Sequence, residues 1–175
     1  MLDLTENRPR PVDAKVLLAA LDRQAGAAVG LAAEAQAKAA QSALVPYLRF
    51  RRQIEEFRSL VSLIEDRLEN MEPGRAQALR ANFEQLDMLV LTLTIRTARM
   101  VFRTLLSGGA MPLGAHEVLA PDLDNLREAG QRLTQGAYSQ MLSARTAQDL
   151  AEAVEALREV IARTPPLPDF SVRTM

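Results

Sequence analysis

The chain has no cysteine. Disulfides, thiolate zinc sites and thiol chemistry are excluded together, and the absence fits a reducing compartment, so a cytoplasmic location is expected. Histidine is almost as scarce: His116, in "GAHEV", is the sole imidazole. Catalysis of the Ser-His-Asp kind needs an imidazole base beside its nucleophile, and a lone histidine in a loop-like stretch reads as a solvated side chain. Di-metal centres in helix bundles use a pair of Glu-x-x-His motifs, which one histidine cannot supply. Neither the phosphate-cradling G-x-x-x-x-G-K-[ST] pattern nor G-x-G-x-x-G after a strand is present. No catalytic residue, metal ligand or cofactor site is expected, and the chain reads as a non-enzyme.

Glycine (8 residues) and aromatics (4%) are also sparse. Strand-rich folds need turns and favour β-branched and aromatic residues, so the alanine- and leucine-rich composition points to helix. The net charge is −1, which lacks the basic excess of a general polyanion binder. Only Lys15 and Lys38 are lysines among 21 basic residues. The N-terminus "MLDLTENRPRP" carries acids before its first basic residue and no apolar run, unlike a secretory signal.

What is present suits one domain: 175 residues, 48% of them hydrophobic. The expected division is a flexible arm over 1–11, a helical bundle over 12–164 and an extended Pro-rich tail over 165–175. Asp13 can cap a first helix running to about Leu44, stopped by Pro46. Ala25, Ala28, Ala32, Ala35 and Ala39 recur on it at helical spacing beside Gly26 and Gly30. Each glycine costs roughly 1 kcal/mol in a helix relative to alanine, so a close neighbour or a bend is expected there. Gly26-x-x-x-Gly30 resembles a membrane dimer motif, but Asp22, Arg23, Glu34 and Lys38 argue against a bilayer span.

A second helix, about Tyr47–Met71, places Phe50, Ile54, Phe57, Val61, Ile64 and Leu68 at alternating spacings of four and three, widened by Leu60 and Leu63. "EPG" at 72–74 turns the chain, with Pro73 near the start of the next helix. "LDMLVLTLTIRTARMVFRTLL" (86–106) alternates like a strand, but no other segment could pair with it, and it is too short to span a bilayer. It reads as a buried central helix, bent or changing partners near Met88–Ile95. Its early line Arg80, Glu84 and Asp87 reads as exposed and continues into Leu91, Ala98 and Leu105. "SGGAMPLGAHEVLAP" (107–121) reads as loop, a fourth helix from Asp122 or Asp124 reaches about Ser143, and Thr146 with Asp149 brackets a fifth. On that fifth helix Leu150, Val154, Leu157 and Ile161 form the expected apolar seam, while Glu152, Glu155 and Glu159 read as a solvated stripe. The expected fold is all-α: an antiparallel bundle of four to five helices around a helical hairpin at 47–106.

Function follows only by exclusion. The composition fits a helical interaction module, such as an adaptor, chaperone or assembly factor, whose partner is another protein or itself. Candidate partner-binding residues are Gly26 and Gly30, the stripe Arg96, Arg99 and Arg103, and Pro165, Pro166 and Phe170 of the tail. The arginine stripe has no acid at helical spacing, so a nucleic-acid-binding regulator is the alternative. "YLRFRRQIEEFR" mixes Tyr47, Phe50 and Phe57 with Arg49, Arg51, Arg52 and Arg58, as single-strand binders do, but its phenylalanines belong to the apolar seam. An amphipathic coat on lipid or granules ranks lower, because the polar faces are mixed in sign. Residues 1–106 carry 15 basic and 13 acidic side chains (+2), and 107–175 carry 6 and 9 (−3). The plain expectation is that acidic C-terminal helices pair with the arginines.

Overall fold

The computed structural model describes residues 13–41, 44–108 and 111–168. Among these residues there are seven α-helices and no strand: α1 (Ala14–Lys38), α2 (Leu44–Glu69), α3 (Pro73–Ser107), α4 (Ala115–Leu119), α5 (Pro121–Leu133), α6 (Gly136–Met141) and α7 (Ala144–Arg163). The all-α bundle is as expected. Helix α3 is its axis, and it packs most extensively on α1 and α7. Both run parallel to it: Gln36 of α1 bonds Thr97, while Arg96 pairs with Asp149 and Arg163 reaches the Leu106 carbonyl of α3. Their chain neighbours α2 and α5 run the other way.

Local rules explain most boundaries. Asp13 Oδ1 accepts from the Lys15 amide and caps α1. Pro46 does not stop that helix: α1 ends at Lys38, a 3₁₀ turn follows over Ala39–Gln41, and Pro46 falls in the first turn of α2. A first turn has no intrahelical acceptor for its amides, so proline is tolerated there. Pro73 and Pro121 likewise open α3 and α5.

The 107–121 stretch is not all loop. Gly114, at φ 77°, turns the chain into α4, whose Ala115 and Leu119 are fully buried, and His116 stands on this short helix. The expected fourth helix is two pieces, because Thr134 ends α5 and Gly136, at φ 49°, begins α6. Helix α7 starts two residues before Thr146, at Ala144: Ser143 is its cap and accepts from the Thr146 amide.

The α2 seam is buried as read, from Phe50 to Leu68. On α7 the seam is rotated: Ala153, Ala156, Leu157 and Val160 are buried, and Leu150, Val154 and Ile161 form its partly buried flank. Small residues face α3 there and allow a close parallel approach.

Candidate interaction surface

Helix α1 turns its larger apolar residues and its buried alanines inward. Leu17, Leu18, Leu21, Ala25, Ala28, Ala32, Ala35 and Ala39 pack against α2 and α3. Its opposite face is solvent-exposed over the whole length, yet small and apolar residues run down its middle. Val16, Ala19, Arg23, Gly26, Gly30, Ala33, Ala37 and Ala40 alternate by three and four residues there, with Glu34 in line with Arg23 along the helix and the exposed Lys15, Asp22 and Lys38 at the margins. The stretch Ala14–Gln41 reaches a mean hydropathy of 1.3, and only 28% of that apolar window is buried. By length and composition alone it could cross a membrane.

Gly26 and Gly30 lie on this outer face. A Cβ added at either would meet nothing within 4 Å, and α1 is one continuous helix. The expected close neighbour is therefore absent among the described residues, and no helix break occurs at either glycine. A shallow groove between α1 and α3 extends the apolar surface: Val29 is 49% exposed and Leu89 50%, and Leu93 and Met141 flank them.

The arginine stripe is engaged within the chain. Arg99 lies 3.2 Å from Asp149 and 3.1 Å from Glu152, Arg103 lies 2.9 Å from Glu152, and Arg96 lies 3.9 Å from Asp149. Glu152 thus belongs to a clamp rather than to a solvated stripe; its hydrogen bonds from Gln148 and Arg99 hold its carboxyl below the ordinary range. Glu155 is exposed and Glu159 pairs with Arg163. The basic run of α2 is engaged too. Arg51 lies 2.9 Å from Asp122, Arg52 pairs with Glu56, and Arg58 reaches Asn125 and Glu128. Phe50 and Phe57 are core residues, and Tyr47 stacks edge-on against Phe102.

Two buried carboxylates anchor α5, and the sequence analysis missed both. Asp87 is 3% exposed, contrary to its place on the early polar line. Its Oδ2 accepts from Arg132 Nε at 2.6 Å and from the Tyr138 hydroxyl at 2.7 Å, while Arg132 also bonds Glu65 at 2.7 Å. Burial and the adjacent Asp87 charge push the Tyr138 hydroxyl well above its ordinary range. Asp122 accepts from Tyr47 at 3.0 Å and from Arg51. Burial raises its carboxyl, and burial with the Asp122 charge raises the Tyr47 hydroxyl. The one available signal was an acid within an apolar stretch, which does not name its partner.

Between these anchors an open cleft of about 350 Å³ is lined by α2, α3 and α5. Ile54, Phe57, Val90 and Leu91 line it, and Arg58, Glu65, Asp87 and Arg132 of its wall are already paired with one another or with Glu128. No group of three or more Asp, Glu or His among the described residues could hold a metal. Pro165 and Pro166 are exposed, and the Leu167 amide donates to Glu117 at 2.6 Å, tying the extended tail to α4. Phe170, the arm over 1–11 and the end of the tail lie outside the described residues. No protein-family model, curated protein or solved structure significantly matches this chain.

Proposed function

We propose that this chain is a non-enzymatic helical interaction module, an adaptor, chaperone or assembly factor that binds protein through the outer face of α1 and the adjoining α1–α3 groove. One observation carries the reading: the one helix among the described residues long and apolar enough to cross a membrane has only 28% of its apolar window buried. Contiguous exposed apolar surface on a soluble domain marks an interaction site or an aggregation liability. The arginines of α2 and α3 support it indirectly. They hold the bundle together, so a free cationic stripe for nucleic acid is not what they offer.

Capture from an extract of the producing cells, at low and high salt, tests the reading. A stoichiometric protein that survives high salt and is lost with Gly30→Arg is expected, because apolar packing resists salt. Nucleic acid released by salt, with no protein that responds to this substitution, overturns it.

A further inference from the structure

We infer that the outer face of α1 docks on the same face of a second copy of this chain, with the two helices antiparallel. The inference deepens the interaction-module reading and rests on its use of this face. Its occupant is chosen by charge. Arg23 and Glu34 are eleven residues apart, three helical turns, and so stand on the same edge of the outer face. Both are solvent-exposed, and Glu34 has only a long 3.8 Å approach to Arg49.

A two-fold axis crossing α1 between Ala28 and Val29 brings Arg23 of each copy level with Glu34 of the other. Two opposite-charge pairs then form on one edge of the contact. Parallel docking would instead set Arg23 level with Arg23 and Glu34 level with Glu34 on opposite edges, so that no opposite-charge pair forms. Antiparallel pairs related by a two-fold axis bring like edges together, so the geometry and the charges agree.

The same axis sets Gly26 of one copy within about one residue of the level of Gly30 of the other. Ala19, Ala33 and Ala37 lie along the rest of the seam, and side chains this small let two backbones approach closely. The chain's own fold leaves the two glycines unexplained, since no atom approaches their missing Cβ positions. The 25 residues of α1 span about 38 Å. Two helices of this length, with the shoulders of α2 and α3, can cover on the order of 1,200 Å², the lower end of the range for stable interfaces.

Sedimentation equilibrium of the full chain, with single cysteines introduced into this cysteine-free sequence, tests the proposal. A dimer is expected. Ala27→Cys copies should be joined by a short dimaleimide, and Ala19→Cys copies, about 29 Å apart across the axis, should not. Equal cross-linking at both positions overturns the antiparallel arrangement. Arg23→Glu should raise the dimer dissociation constant roughly tenfold, and the pair Arg23→Glu/Glu34→Arg should recover most of it. Gly30→Arg should give a monomer with unchanged helical circular dichroism, since that position is open to solvent. A wild-type chain that is monomeric at 100-fold dilutions and at full concentration alike overturns the dimer, as does a monomer that co-sediments with phosphatidylcholine vesicles. A monomer that still captures a Gly30→Arg-sensitive protein would sink the dimer and leave the interaction reading standing; a dimer that captures nothing would do the reverse.

Discussion

Helices α1 and α5 both pack alongside α2 and α3, and they are held there by different physics. Helix α1 is seated by leucine and alanine side chains, with two side-chain hydrogen bonds, Gln36–Thr97 and Gln24–Gln53, at its margins. Helix α5 has four buried positions and is bound by arginine bridges at both ends: Arg51 to Asp122 near its start, Arg132 to Asp87 and Glu65 at its finish. Packing of small side chains is undirected and insensitive to salt. Bridges between buried charges are directional, and removing one partner strands the other. The contrast also explains the charge asymmetry of the chain, since five arginines of α2 and α3 reach acids of α5 and α7.

The largest expected effect is at the α5 anchor. Asp87→Ala leaves the Arg132 guanidinium and Tyr138 hydroxyl without their shared acceptor and should cost about 3–5 kcal/mol in urea-unfolding stability. A loss near that of an exposed substitution such as Val29→Ala would erase the contrast. On the α1 side, Ala28→Leu forces three carbons into a fully buried position. It should cost about 1–3 kcal/mol, equally at low and high salt. If salt changed that cost markedly, undirected packing would be the wrong account of α1.

Smaller effects sharpen the comparison. Gly26→Ala, in an open helical position, should stabilise the folded chain by about 1 kcal/mol in thermal unfolding at low protein concentration. No gain there would mean that something already packs on this face. The smallest effect is pH dependence at Asp122. Burial raises its carboxyl above 3.8, outweighing Arg51 and Tyr47, which lower it. The folded chain then holds that proton more tightly than the unfolded chain, so this group adds stability as pH falls toward 3.8 and withdraws it as pH rises above that value. Asp122→Asn should remove this slope in acid titrations of stability, and an unaltered slope would assign it to other groups.

Helical class, the α2 seam and the proline-marked starts were legible because each is a local matter: 3.6-residue periodicity, or the missing amide of Pro73. The break of the expected fourth helix was not. Its cause is the backbone at Thr134–Gly136, where a positive φ suits glycine and no periodicity flags it. Asp87 was misplaced because the helical wheel gives each residue an angle but not the neighbour at that angle. The same limit applied to Gly26 and Gly30, whose face was visible in sequence while its exposure was not.

By itself the sequence determined that this chain is helical, that it lacks thiol chemistry and imidazole pairs, and that its basic and acidic side chains are unequally divided between its two parts. Those properties depend on residue type and short-range spacing. Only the tertiary structure decided which arginine meets which carboxylate, that Asp87 and Asp122 are buried, and that the outer side of α1 is left uncovered. Such pairings join residues dozens of positions apart, and helix directions and crossings set them, which no local pattern encodes.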